Sequence, residues 1–365
     1  MSIVFGVREL RDALSSCMMA TGKDKDGLIS NVHAAVSRGS VCLTATDKDV
    51  SIRIVLNADT DMIGEVMLPV KRLSAILAES TSEKVSILVD EKNITVKSDT
   101  GKFRLATEDA KDFPPVPESE FKHFLKIPSA VLRKLIHRTA FATDLQSTRY
   151  ALGGVLFEIG DRGLVCAATD SRRLAVADAA AEFVGEQEGK PSVIPIKLLR
   201  LVEKLPEGDV EVSVSDNSAF FRCGGVSCSG RLVEGRFPRY RDVIPKTSSM
   251  VVNVVASKML SAVRQAMIVT DEESRGVDFT IEDNEMRLAS AGAMIGSSEV
   301  RFDVEMKTNN PKPITVTMDP KYVSDMLKSV PAEEIVSISF IDADTAVVFR
   351  NGDNYLYVNM PLSKG

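Results

Sequence analysis

Tryptophan is absent from this 365-residue chain, and aromatic residues make up only 5% of it. The interior must therefore be built from Val, Ile, Leu, Met and Ala, which suits several small cores better than one large aromatic-anchored core. Histidine occurs three times, as His33, His123 and His137, and none stands at metal-ligand spacing from another His or from a Cys. The five cysteines, Cys17, Cys42, Cys166, Cys223 and Cys228, are odd in number and scattered, so a disulfide framework is not expected and reduced cytosolic thiols are. No apolar run approaches the ~18 residues of a membrane-spanning helix. The first dozen positions, with Arg8 and Glu9 among them, do not read as a signal peptide, and the expected location is cytoplasmic. Nucleophile-elbow, Walker and dinucleotide-binding motifs are missing. Asp24-Lys-Asp26-Gly27 begins like a calcium loop, but Ala35 stands where that loop needs Glu. No metal, cofactor or catalytic residue is expected.

What the chain does have is a repeat. At 365 residues it is long enough for two or three domains. Leu68-Pro69-Val70-Lys71, Ile194-Pro195-Ile196-Lys197 and Asp319-Pro320-Lys321 place a proline before an apolar periodic run three times, 126 and 125 residues apart. Proline suits the first turn of a helix, where its missing N–H has no partner to lose. Phe113-Pro114, Phe237-Pro238 and Met360-Pro361 keep nearly the same period, and Thr44-Ala-Thr46-Asp47 returns as Ala167-Ala-Thr169-Asp170. A second helix opens each copy, at 7–18, 129–139 and 257–267, with Ser129 and Ser257 reading as N-caps. Between the helices lie alternating runs such as Val85-Ser-Ile-Leu-Val89 and Val336-Ser-Ile-Ser-Phe340, separated by turn residues. The expected fold is α+β: three repeated units, 1–123, 124–247 and 248–365, each with two helices on antiparallel sheets.

The chain carries 45 Lys and Arg against 51 Asp and Glu, a net charge of −6 that by itself argues against a nucleic-acid binder. Its distribution argues the other way. The six helical segments sum to +9, which leaves −15 for strands and loops. A basic outer face is ordinary for any one helix. Five of six in an acidic protein suggest a surface for phosphates that reads no sequence. A protein-only scaffold with merely solvated helices is the alternative reading, and a nucleotide enzyme would need a metal or nucleophile cluster that is missing.

Five segments carry a family resemblance: Gly153-Gly-Val-Leu-Phe-Glu158, Ala168-Thr-Asp-Ser-Arg-Arg-Leu-Ala-Val176, Gly235-Arg-Phe-Pro-Arg-Tyr-Arg-Asp-Val-Ile-Pro-Lys246, Ser274-Arg-Gly-Val277 and Tyr357-Val-Asn-Met-Pro-Leu362. In this order and spacing the whole chain resembles the bacterial DNA polymerase III β sliding clamp. The resemblance implies a head-to-tail homodimeric ring, lined by helices and walled by strands. Such a ring encircles double-stranded DNA and tethers a replicative polymerase, a clamp loader and other partners through short peptide motifs of a glutamine-plus-leucine-phenylalanine kind. It implies a partner-peptide pocket of Leu152, Thr169, Ser171, Arg172, Arg173, Leu174, Pro238, Val243, Val358, Met360, Pro361 and Leu362. DNA contacts are expected among Lys23, Lys25, Lys71, Arg72, Arg133, Lys134, Arg138, Gln146, Arg149, Lys197, Arg200, Lys258, Arg264, Lys321 and Lys328. The dimer interface is expected to set Phe103 and Leu105 against Ile268 and Val269. Arg172, Asp242, Ala151 and Ser363-Lys-Gly365 depart from the usual family residues, which alters the charge of the pocket rim.

Overall fold

The computed structural model describes residues 2–23, 27–60, 62–90, 92–146, 150–160, 163–185, 190–270, 276–292, 296–308 and 312–362. In chain order the elements are β1 (Ser2–Gly6), α1 (Val7–Met18), β2 (Val32–Ser37), β3 (Ser40–Thr46) and β4 (Val50–Asn57). Next come β5 (Gly64–Leu68), α2 (Val70–Glu79), β6 (Lys84–Asp90), β7 (Asn93–Lys97) and β8 (Lys102–Ala106). They are followed by β9 (Phe124–Pro128), α3 (Ser129–Thr139), β10 (Gly154–Gly160), β11 (Gly163–Thr169) and β12 (Arg173–Ala179). Then come β13 (Glu182–Val184), β14 (Ser192–Pro195), α4 (Ile196–Val202), β15 (Asp209–Val214), β16 (Ser218–Cys223) and β17 (Val226–Arg231). The last part holds β18 (Met250–Val255), α5 (Ala256–Ala266), β19 (Val277–Glu282), β20 (Glu285–Gly292) and β21 (Gly296–Asp303). It closes with β22 (Glu305–Met306), β23 (Ile314–Met318), α6 (Pro320–Lys328), β24 (Ile335–Phe340), β25 (Val347–Arg350) and β26 (Tyr355–Asn359). Strand, helix, three strands recurs six times, so the threefold sequence repeat is itself made of halves.

The six helices form as their apolar spacing dictates. In α1, Val7, Leu10, Leu14 and Cys17 are buried, at the three- and four-residue spacing that fills one face. Each helix follows its strand with at most one residue between. At α1, α3 and α5 the first-turn N–H is taken by a distant carbonyl: Val7 N–H by Glu83 (2.9 Å), Ser129 N–H by Gly208 (2.8 Å) and Ala256 N–H by Glu334 (2.9 Å). This corrects the expected serine caps. Ser129 Oγ instead meets Glu207 (3.4 Å) and Arg133 Nη2 (3.2 Å), and Ser257 lies one residue inside a helix whose cap, Val255, makes no side-chain bond. At α6 a side chain does cap the helix, Asp319 accepting from Lys321 N–H at 2.9 Å. Pro320 stands in its first turn, whereas Pro69 and Pro195 sit one residue before theirs.

The chain divides into two compact units. The first comprises Met1–Arg133, Ala181–Gly189 and Ile194–Leu232, and the second Lys134–Ala180, Lys190–Val193 and Val233–Gly365. The first holds a four-stranded sheet, β1-β6-β7-β8, and a nine-stranded one, β13-β9-β15-β16-β17-β4-β3-β2-β5. The second holds the nine-stranded β14-β10-β11-β12-β26-β25-β24-β18-β22 and the four-stranded β21-β20-β19-β23. Neighbouring strands run antiparallel, as in β1 with β6, β12 with β26, β4 with β17 and β20 with β21. One joint recurs: the last strand of one strand triple pairs with the last strand of another, β4 with β17 and β12 with β26. The last strands of the two remaining triples, β8 and β21, are sheet edges.

Candidate functional site

The β12–β26 joint gives the second unit an apolar face. Leu174 lies opposite Val358, Val176 opposite Leu356, and Val348 of β25 opposite Val358. With Leu156 of β10 and Ala167 of β11 they form one cluster, to which Val193, Phe237, Tyr240 and Ala346 also belong. Val176, Val233, Ile244 and Leu356 pack against it half-buried. Burying a side chain the size of Leu174 is worth ~1.5–3 kcal/mol, so the cluster holds the joint as well as forming a floor.

The segment from Phe237 to Val243 walls this floor and is held at Glu158 of β10. Tyr240 Oη donates to Glu158 Oε2 at 2.6 Å, and Arg241 grips both oxygens, Nη1 to Oε1 at 3.1 Å and Nη2 to Oε2 at 2.6 Å. Burial opposes the carboxylate's charge, but the bonds from Arg241 and Tyr240 outweigh it and hold Glu158 below its ordinary value. Above the floor the rim is exposed and partly apolar, with Val243 56% and Met360 44% accessible. Pro238 is exposed, and Pro361 and Leu362 are half-buried.

The twelve expected pocket residues thus divide. Leu174 and Val358 are floor, while Val243, Met360 and Pro238 are rim. Thr169 and Arg173 are framework. Thr169 Oγ1 donates to Arg173 O (2.6 Å) and accepts from Ser171 N–H (3.1 Å), while Asp170 Oδ1 takes the N–H groups of Arg172 and Arg173. This turn leaves Ser171 at φ +75°. Arg173, only 9% accessible, donates to Asp170, to Asp325 (3.0 Å) and to the Phe141 carbonyl (2.8 Å), with Tyr322 and Phe141 stacked on its guanidinium. Arg172 is exposed, and its carbonyl accepts from Met360 N–H at 2.9 Å. Leu152 is buried, its carbonyl accepting from Asp144 N–H at 2.8 Å, but it is not part of the cluster. Leu156, Val176, Val348, Leu356, Phe237 and Tyr240 were missed. The period of two along a strand would have added Val176 to Leu174 and Leu356 to Val358.

The β4–β17 joint of the first unit has the same construction and the opposite chemistry. Thr46 and Asp47 build the same turn, with Lys48 at φ +81°. Ser51 lies opposite Ser229, their hydroxyls 2.6 Å apart, and Arg53 opposite Ser227. A cavity of ≈ 160 Å³ there is lined by these residues, by Val116–Ser119 and by Phe121, Phe220, Arg222 and Cys228, with Glu118 paired to Arg53. At one joint the fold makes a greasy floor, and at the other a polar one.

The helices carry the second expected surface. Lys23, Lys71, Arg72, Lys134, Gln146, Lys197, Arg200, Lys258, Arg264, Lys321 and Lys328 are exposed. Lys197 is paired with Asp47, Lys258 with Asp303 at 3.8 Å and Lys328 with Asp325 at 3.4 Å. Two expectations are corrected. Arg138 is 2% accessible, its guanidinium donating to Asn351 Oδ1 (2.6 Å) and lying over the Tyr355 ring, so it cannot meet a phosphate. Arg133 is half-buried and committed to Glu207 (2.7 Å) and the Leu205 carbonyl (3.0 Å). Lys25 and Arg149 lie outside the described residues.

Comparison with known proteins decides the family. The N-terminal domain of the DNA polymerase III beta subunit matches residues 11–117, the central domain 126–239 and the C-terminal domain 241–363. The chain belongs to the DNA polymerase III beta subunit family. Among its relatives in that family, the beta sliding clamps of Vibrio cholerae and Pseudomonas aeruginosa are each 29% identical over 342 residues, covering 92% of this chain and 92% of theirs. The crystal structure of the Pseudomonas aeruginosa subunit is 25% identical, with a TM-score of 0.91 over 99% of this chain and 100% of that one. A sliding clamp from the same species bound to griselimycin has a TM-score of 0.92 at 25% identity, over 100% of this chain and 99% of that one. The beta-subunit fold accounts for the α+β architecture and for three tandem clamp domains.

Proposed function

We propose that two copies of this chain close head to tail into a ring that encircles duplex DNA and tethers polymerase and other replication and repair proteins, catalysing nothing itself. The names of the relatives support the clamp reading. The observation that carries ring closure is the joint rule. Counting the units as 1–123, 124–247 and 248–365, the first half of each joins the second half of the next, through β4–β17 and then β12–β26. Continued once more, the rule joins β21 to the β8 of another copy. An exposed edge strand seeks such a partner, and a head-to-tail contact either closes a ring or grows a fibre.

The two edges are suited to each other. On β8, Lys102 and Arg104 are exposed beside Phe103, which is 42% accessible, and half-buried Leu105. On β21, Glu299, Arg301 and Asp303 are exposed, with Arg301 paired to Glu299, and Ile268, following α5, is 75% accessible beside half-buried Val269. In such a ring the exposed helix cations would face the phosphates, contacts that carry no sequence information and permit sliding. The apolar face at β12–β26 would take the partner peptides, in the cytoplasm. Light scattering tests closure: the wild type is expected to run at twice the chain mass and Phe103→Asp with Leu105→Asp at one. A dimer unaffected by both substitutions would refute the assigned edges.

A further inference from the structure

We propose that the groove at β12–β26 selects partner segments whose apolar anchors are flanked by carboxylates. The inference rests on the partner-peptide reading of that groove and names the chemistry of its partners. Residues 236–246, which wall the floor through Phe237 and Tyr240, contain Arg236, Arg239, Arg241 and Lys246, all exposed, against Asp242 alone. Arg172 adds a fifth exposed cation from the other side, fixed beside the accessible Met360 by the bond between their backbones. Even with exposed Glu234 counted, the rim holds five cations to two carboxylates in a chain whose net charge is −6.

Part of this charge is already used. Arg241 is matched by Glu158, and Arg239 lies 3.7 Å from Asp242. Arg172 and Arg236 form no ion pair among the described residues. An apolar anchor seated on Leu174 and Val358 therefore has open guanidinium groups beside its entry, and a carboxylate there gains attraction without being buried. Each exposed pair is individually weak and screened by salt, so the effect is one of selectivity and capture rate rather than of anchoring. Asp242, on the same segment, narrows the preference by repelling acid at its own position.

Three labelled peptides with one apolar core, flanked by two Glu, two Ser or two Lys, test this by fluorescence anisotropy. At low salt the expected order is Glu tighter than Ser tighter than Lys, with about tenfold between the ends, collapsing to within about twofold at high salt. The double variant Arg172→Glu, Arg236→Glu is expected to reverse that order, both residues being exposed and outside the core. Equal binding of the three peptides to the wild type at low salt overturns the inference, as does a double variant that keeps the original order. A neutral peptide that fails to bind, or binds Leu174→Asp as well as the wild type, overturns the groove reading itself and the selectivity with it.

Discussion

Leu174 and Val358 stand directly opposite each other on β12 and β26, in the register that Ser51 and Ser229 occupy on β4 and β17. Two serines at one joint and two aliphatic residues at the other explain how a repeated fold makes one joint polar and the other apolar. Leu174→Asp puts a carboxylate into a position only 3% accessible, at a cost of several kcal/mol if it stays charged. Partner-peptide affinity is expected to fall by more than about a hundredfold with the dimer retained. Isothermal titration of the wild type should give one peptide per chain, because the Ser51–Ser229 joint puts hydroxyls where the other joint puts Leu174 and Val358.

Arg173 is a strut. Arg173→Ala would leave Asp170 and Asp325 facing each other without their shared cation, and losing one partner of a buried pair costs ~3–5 kcal/mol. Chemical denaturation should show that loss in the second unit. A change below about 1 kcal/mol would mean the pair is solvated in solution.

Arg138 and Lys134 differ by four residues on one helix and should differ completely toward DNA. Lys134 is exposed, while Arg138 is closed in by Asn351 and Tyr355. Lys134→Ala combined with Arg200→Ala is expected to reduce the salt dependence of DNA retention by about two counter-ions. Arg138→Met should leave that slope unchanged and lower thermal stability instead. Salt titrations of loaded clamps separate the two.

Glu158 makes peptide binding depend on acid. Its carboxyl is held below the ordinary value, so the tether to Tyr240 and Arg241 is fully charged above that value and fails as pH falls through the depressed one. With respect to this group, affinity should be flat at and above the ordinary carboxylate range and drop only as pH falls below it. Glu158→Gln should weaken binding at neutral pH and remove the drop.

The repeat, the helices and the basic charge on them were legible because they rest on apolar spacing and residue identity alone. The half-repeat was not. Its halves share a backbone plan, strand, helix and three strands, while their side chains differ. Helix starts were misread at Ser129 and Ser257, since the Ser129 hydroxyl is drawn to Glu207 and Arg133 and Ser257 falls inside α5, whose cap is Val255. Arg138 was misread for a related reason. Helical periodicity gives its angle on α3, but only the tertiary fold brings Asn351 and Tyr355 over that face. The pocket's floor was half legible, because motif resemblance names Leu174 and Val358 while the packing of Leu156, Val348 and Tyr240 depends on sheet order.

Retention on circular against linear DNA tests the central claim most directly. Loaded onto a nicked circle, the protein should stay through gel filtration at a salt concentration that abolishes ordinary phosphate binding, and it should be lost within minutes once a single cut linearises the circle. Equal retention before and after the cut, or equal loss, would contradict a closed ring around the duplex.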